Sequence, residues 1–534
     1  MGKEEQLMDW FDGHGGSRMQ PPPEQPQKQA SKQEENQLTS SVQANIATIH
    51  KAFGSSADVV TRQMNVGVPI GLVYIEGLID QTAISEFIIQ SMQIAEKHIK
   101  RYGTQEPDKL LHYITTSVIA TGEIHNLQTM MDVKMAMLDA HTVLFIEGCE
   151  QGLAVPTCGW RDRGVNEPSS ETVIRGPREA FSESLRTNTT LVRRKIHDEN
   201  LYCEQRHIGK VTKTNIAVMY INGIADENIV KELYERLNRI DTDAILESGY
   251  IEEYIQDSFL SPFPTVFNTE RPDVVAAGLL EGRIAIFVDG TPFVLLVPVL
   301  FVQFFQTPED YYERSLVSSL LRLLRYASFF IALLAPSTYI AITTFHQEML
   351  PTPLLISLAA QREGIPFPAF VEAVIMEITF EVLREAGLRT PRPLGQTISI
   401  VGALVIGQSA VEAGFVSAAI VIVVSITAIS SFALPAYNVS IAIRILRFLL
   451  MMLAASFGLF GITMGLILMV VHLCSLRSFS VPYLAPITPT HNTSPQDTLI
   501  RLPHWLLRKR PAEFAKQNNI RNKTPIPRSK KGTT

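Results

Sequence analysis

Residues 396–472 carry three charged side chains in seventy-seven positions: Glu412, Arg444 and Arg447. The stretch is broken near Gly414 and again over 435–440. A bilayer core takes roughly 20 apolar residues per helix, and each unbroken piece supplies about that length. This region is therefore read as membrane-spanning helices. The piece QTISIVGALVIGQSAVEAG keeps Gln408 and Glu412 one helical turn apart. A carboxylate in a membrane helix is costly and faces a partner or water, which makes that helix face the first place to look for function.

The rest of the chain is different. The mean hydropathy of the whole is only slightly positive, too low for a pure membrane bundle. The 534 residues are thus a hybrid of a water-soluble part and a membrane part, with room for two to four domains. A net charge of −6 argues against nucleic-acid binding, which needs a basic surface. The start, MGKEEQLMDWFDGHGG, is polar and acidic, shows no signal peptide and lacks the Ser/Thr of a myristoylation site. The N-terminal half is therefore expected to be cytoplasmic. Cys149, Cys158, Cys203 and Cys474 are scattered, without zinc-ligand spacing.

Residues 1–43 read as a disordered tail, because QPPPEQPQKQASKQEENQ has no large apolar residue to offset the entropy of ordering. The soluble part contains an internal repeat. VYIEGLID (73–80) and MYINGIAD (219–226) are each an apolar strand, a glycine turn and an acidic residue at a helix start. Asp80 and Asp226 are placed to cap those helices, with Tyr74 and Gly77 equivalent to Tyr220 and Gly223. Downstream, TVLFIEGCEQGLAV (142–155) matches RIAIFVDGTPFVLLV (283–297), with Gly148 and Gly290 in the turns of two β-hairpins. The expected fold is an α/β soluble region of two duplicated subdomains, 44–156 and 215–298, joined by a connecting segment 157–214. An all-α transmembrane domain (299–475) and a basic C-terminal tail (476–534) follow.

The repeat changes the membrane count. AIFVDGTPFVLLVPVLFVQFF (285–305) has the hydropathy of a span, yet Asp289, Gly290, Pro292 and Pro298 suit a hairpin and not a helix. The expected spans are 326–345, 396–413, 416–434 and 446–472. Four spans leave Arg322, Arg325 and the eleven Lys and Arg after 475 on the inside. Arg384, Arg389, Arg392, Arg444 and Arg447 fit five better, so the count stays at four to five. Between the first two spans lies an amphipathic helix, 368–386, with Glu377, Glu381 and Glu385 stepping along one side.

Several residues carry candidate roles, each against a plainer one. Gln408 and Glu412 are a pore-lining or gating pair in a homo-oligomer, or a helix-end cap near Gly414. Ser399, Ala403 and Gly407 beside them, and Gly461 and Gly465 with Ala454 and Gly458, are small-residue stripes suited to close helix packing. The row Glu377, Glu381 and Glu385 rings an opening if copies surround an axis, or is a solvated face. ETVIRGPREAF (171–181) places Gly176 and Pro177 at a helix start. There Arg175 and Arg178 pair with Glu171, Glu179 or Glu183, either as an inter-subunit or inter-subdomain latch or as local structure. Cys158 beside Trp160 has no assigned base or oxyanion site, and no P-loop, zinc, serine-elbow or dinucleotide motif is present.

ETVIRGPREAF, FNTERPD (267–273), PEDYYER (308–314), REAGLR (384–389), GQTISIVGALVIGQSAVEAG (395–414) and SFALPAY (431–437) occur in this order. Together they resemble the A subunit of the GerA-type nutrient germinant receptors of spore-forming bacteria, over about residues 60–485. The resemblance implies a non-enzymatic protein of the spore inner membrane. It implies a transporter-like B subunit and a lipoprotein C subunit as partners, self-association within membrane lipid, ion passage on triggering, and no cofactor. A relative in the same family is an accessory protein of ion and dipicolinate release; the Gln-rich N-terminal extension leans towards the receptor subunit. A secondary transporter with a midplane site is the rival from another class, but the repeat lies only in the soluble part. A membrane-anchored enzyme lacks a catalytic constellation.

Overall fold

The computed structural model describes residues 37–102, 107–119, 123–159, 167–168, 171–389, 405, 407–488, 497–525 and 527. The chain divides into two compact units. One is Met1–Ile49, Val60–Ile75 and Ile79–Gly159; the other is His50–Val59, Glu76–Leu78 and Trp160–Thr534.

Helix α1 (Val42–Ala52) leads into a five-stranded sheet of β1 (Val59–Asn65), β2 (Pro69–Ile75), β3 (His125–Leu127), β4 (His141–Ile146) and β5 (Gly152–Pro156). The strand order is β1-β2-β4-β5-β3. Helical segments from Gln81 onward bury Ile84, Ile88 and Met92 against Leu72, Leu144 and Val155. Asp80 starts them, accepting the Thr82 N–H at 2.8 Å. Helix α2 (Met130–Leu138) begins at a reciprocal cap between Thr129 and Asp132.

The second sheet holds β6 (Leu201–Ile208), β7 (Thr214–Ile221), β8 (Phe267–Thr269), β9 (Ile284–Val288) and β10 (Val294–Val297). Its order, β6-β7-β9-β10-β8, is the same permutation. Asp226 accepts the Asn228 N–H at 3.0 Å, at the offset used by Asp80. The paired turn glycines share left-handed backbone: φ is 93° at Gly77 and 79° at Gly223, 90° at Gly148 and 91° at Gly290. Residues 285–298 form an antiparallel hairpin, with Leu295 opposite Ile286 and Val297 opposite Ile284. Both faces of this sheet are covered. Helices α3 (Leu185–Arg193) and α6 (Pro272–Glu281) pack on one face. Helices α4 (Glu227–Asn238) and α5 (Ser248–Ile255) pack on the other. A strand buried on both faces reads as a continuous apolar run, which is why this hairpin has the hydropathy of a span.

Two expected boundaries are corrected. The second sheet begins at Leu201, inside the segment expected to be a connector. There β6 buries Leu201 and Cys203 alternately with outward residues. Residues after 475 are not a free tail: Phe479, Val481 and Phe514 enter the core on the α4–α5 face, because apolar residues are interleaved with the basic ones.

Five further helices follow: α7 (Ser315–Thr344), α8 (Thr352–Arg362), α9 (Ala369–Arg389), α10 (Ala418–Phe432) and α11 (Tyr437–Ser475). Among the described residues, α7 and α11 are long and apolar enough to cross a membrane, by length and composition, and α10 is a shorter apolar helix. The expected span 396–413 lies largely outside the described residues. The expected single span 446–472 is corrected. Gly458 has φ 63° and ψ −141°, which interrupts α11. A Cβ on Gly465 would stand 2.5 Å from Leu450 Cδ2, and one on Gly461 would stand 2.2 Å from the Leu453 carbonyl oxygen. The limbs on either side of Gly458 therefore fold back on each other, and glycines at 461 and 465 permit the close approach.

After the hairpin, Phe301–Phe305 form a buried single turn. Phe305 stacks on Tyr326 at 4.4 Å and meets Phe329 edge-on at 5.4 Å. Beside it, buried Asp310 receives Arg322 at 3.1 Å and Arg325 at 2.9 Å, and Arg322 also holds Asp497 at 2.7 Å. Removing one member of a buried ion cluster leaves charge unpaired, at about 3–5 kcal/mol. Asp310→Ala is expected to destabilise the second unit by about that amount in denaturant unfolding of the detergent-solubilised protein. A loss too small to resolve would show that the two arginines find other partners.

Candidate functional site

Four of the sequence segments quoted above meet around one cavity of about 950 Å³. Glu171 to Val173 come from the first, and Phe267, Asn268, Arg271 and Asp273 from the second. Pro308, Glu309, Tyr311 and Tyr312 come from the third, and 432–437, the link between α10 and α11, from the fourth. The cavity therefore lies where the second sheet and its α6 meet the apolar helices.

Arg271 organises the wall. It sits at the start of α6 with extended backbone, and Pro272 occupies the first helical position. The guanidinium, fully buried, donates to both Asp273 oxygens at 3.1 and 2.8 Å. It also donates to the carbonyls of Glu171 at 3.1 Å and Pro177 at 2.9 Å. Tyr312 donates to Asp273 at 2.7 Å. Glu309 accepts the N–H groups of Ile174 and Arg175 at 3.0 and 3.2 Å.

The expected helix start is corrected. Residues 171–183 are irregular; the helix begins at Leu185, after the Ser184 cap. Gly176 has φ 142°, and Pro177 lacks an N–H. A Cβ at Gly176 would press on the Tyr312 ring at 2.8 Å. Arg175 lies 3.8 Å from Glu313 and Arg178 lies 3.5 Å from Glu167. Glu179 pairs with Lys195 at 2.8 Å, and Glu171 accepts from Thr269 at 2.6 Å. Within the chain the segment is fastened mainly through Arg271 and backbone groups.

Two carboxyls lining the cavity titrate near neutrality. Burial pushes Glu171 up to about 7; the Thr269 hydrogen bond opposes this and nearby Glu270 adds to it. Burial also pushes Glu252 up to about 7, opposed by Asn268, with Glu247 adding to the rise. Neither Glu252 nor the meeting of the four segments was legible in the sequence, since the contacts span 39 residues between Tyr312 and Asp273 and 100 between Arg271 and Glu171. Among the described residues no group of His, Cys, Asp and Glu is placed to hold a metal. Cys158 is exposed, and Trp160 lies outside the described residues.

The helix residues separate into two kinds. Gln408 donates to Glu412 at 2.9 Å, and both are exposed. Gly407 is buried, with a Cβ position 3.6 Å from Val421 of α10; Ser399 and Ala403 lie outside the described residues. The glutamate row does not share one environment. Glu377 is fully buried, 3.0 Å from Arg447. Glu381 lies 3.2 Å from Arg444 and 3.4 Å from Arg447, and also pairs with Arg384. Glu385 is exposed and pairs with Arg389 at 2.7 Å. The arginines Arg444 and Arg447, which stood out in a charge-poor stretch, are the partners of α9.

The second sheet and its helices share this cavity with the long apolar helices. Residues 47–513 match the Bacillus/Clostridium GerA spore germination protein family, and the chain belongs to that family. It is 46% identical to "Spore germination protein KA" of Bacillus subtilis (strain 168), over 93% of this chain and 91% of that protein. It is 44% identical to "Uncharacterized membrane protein YfkQ" of the same organism, over 92% and 94%. It is 38% identical to "Spore germination protein GerLA" of Bacillus cereus, over 89% and 96%. The crystal structure of the N-terminal domain of the A subunit of the Bacillus megaterium spore germinant receptor GerK3 matches with 39% identity and a TM-score of 0.39, over 50% of this chain and 98% of that one.

Two outcomes are expected. A carboxyl whose folded pKa lies above its unfolded value stabilises the fold in its protonated form, and that contribution is lost as pH rises. For Glu171 the window runs from about 4.5 to about 7. The melting temperature should therefore fall across that window, and Glu171→Gln should flatten the fall; equal slopes in both proteins would exclude Glu171 as a source. In the helices, Arg447→Leu should cost about 3–5 kcal/mol, and adding Glu377→Leu should recover much of it. A double variant less stable than the single one in denaturant unfolding would show that the pair is not the reason for the loss.

Proposed function

We propose that the chain is the A subunit of a nutrient germinant receptor, an integral protein of the spore inner membrane with its sheet region on the core side. On this reading it assembles with a transporter-like B subunit, a lipoprotein C subunit and further copies of itself, and passes ions when triggered. Family membership and the two long apolar helices support the reading. The name of the relative YfkQ, a "membrane protein", agrees with it.

The observation that carries it is the cavity. Its walls come from α6 and the second sheet on one side and from the α10–α11 link on the other. A change of partner or protonation at Glu171 or Glu252 is thus felt at the ends of two apolar helices. The conduit is assigned to the face of Gln408 and Glu412. Glu412 is exposed near Phe415 and Val405, which are 58% and 51% exposed. A carboxylate on such a surface is tolerated in a bilayer when it faces water or a partner subunit, and in an oligomer it attracts cations. Glu377 and Glu381 are committed to arginines of α11, so Glu385, exposed and paired with Arg389 of its own helix, is the member of the row left to face a shared path.

Glu412→Gln keeps the shape and removes the charge. Ion efflux from germinating spores, normalised to subunit abundance, is expected to change while abundance and assembly stay normal. Glu412→Leu should do the same or close the path. Normal efflux at normal abundance for both variants removes Glu412 from the conduit, and loss of abundance in both makes it structural.

A further inference from the structure

Phe259 and Leu260, each 82% exposed, form the tip of the loop between α5 and β8. Two adjacent large apolar side chains this exposed mark an interaction surface when the backbone beneath them is held in place. Here it is. Ser261 Oγ hydrogen-bonds His472 Nε2 at 2.9 Å and accepts the Phe263 N–H at 3.2 Å. Phe263 is buried, edge-on to Phe301 at 5.9 Å. Tyr483 donates to the Pro264 carbonyl and Ser478 to the Thr265 carbonyl, both at 2.7 Å.

The contact with His472 fixes the level of the tip. His472 lies near the C-terminal end of α11. On the turns just before it, Ile467, Leu468, Val470 and Val471 are between 50% and 63% exposed. The outward apolar surface of that limb therefore runs up to Val471, and the tip projects beside the next residue. Exposed Arg477 lies two residues past the end of α11.

We propose that the Phe259–Leu260 tip inserts into the lipid interface beside the end of α11 and seats the sheet region on the bilayer. This rests on reading α7 and α11 as membrane helices. An aromatic and an aliphatic side chain at the boundary of headgroups and acyl chains is the pattern of interfacial anchors. Lipid is favoured over a second copy of the chain because the tip continues an apolar helix surface at the same level.

The test uses the full chain in liposomes containing anionic lipid, with Cys158→Ser and Cys474→Ser, and an environment-sensitive fluorophore on Leu260→Cys. Leu468→Cys reports the helix, and Val211→Cys, 76% exposed, reports the turn between β6 and β7. The Leu260 label is expected to shift to the blue and to be quenched by spin-labelled lipid, more by a label near the glycerol end of the acyl chain than by one at its tail. The Leu468 label should be quenched as well, and the Val211 label should stay water-like. A water-like Leu260 label with a quenched Leu468 label overturns the anchor and leaves the membrane reading standing. A blue-shifted Leu260 label quenched by a spin-labelled second subunit, and not by lipid, assigns the tip to a subunit contact and also overturns it. If neither the Leu260 nor the Leu468 label is quenched by lipid, the membrane reading falls and the anchor falls with it.

Discussion

Asp310 is the point from which the second unit is held together. A carboxylate buried that deeply persists only if it is paired and hydrogen-bonded. Asp310 meets that condition with two arginines from the first turns of α7 and the hydroxyl of Thr307. Arg322 in turn reaches Asp497, which draws the C-terminal segment back to the base of the helix. The turn at 307–310, the first part of α7 and a segment 175 residues beyond it are thereby fixed around one charge. The aromatic cluster of Phe301, Phe305, Tyr326 and Phe329 packs directly beside it.

The cavity follows from that joint. With α7 held at its base, the turn carrying Tyr311 and Tyr312 is placed against Asp273 and Arg271. The polar wall is held largely by contacts within the chain, and Glu171 and Glu252 sit half-buried in it. Their raised proton affinity follows from desolvation. It places two titrating groups beside the link between two apolar helices.

Much of the α/β fold was legible because repetition exposes it. Two copies of strand, glycine turn and capping aspartate identified equivalent positions, and the shared strand permutation follows from them. The hairpin over 285–298 was legible for the same reason, against its own hydropathy. β6 was missed because nothing before MYINGIAD repeats clearly in the first half. The helix start expected at Gly176 and Pro177 lies instead at Leu185, where Ser184 supplies the cap, because Gly176 takes a φ of 142° outside the helical region. Of the candidate site, the residue types were visible as motifs, but their meeting was not.

The sequence by itself determined the local decisions: the caps at Asp80 and Asp226, the left-handed glycine turns, and the apolar helices with their few charges. Those depend on neighbours within a turn or two, so spacing reveals them. Only the tertiary structure decided which charges are partners. Glu377 and Glu381 read as a row on one helix face; they became part of an ion network because Arg447 and Arg444 arrive from a helix more than sixty residues later. Gly458 read as one member of a packing stripe, and it became the place where α11 turns back on itself. A buried charge or a close helix approach is set by what stands opposite, and a pattern along the chain carries no distance to a partner that the fold has yet to bring there.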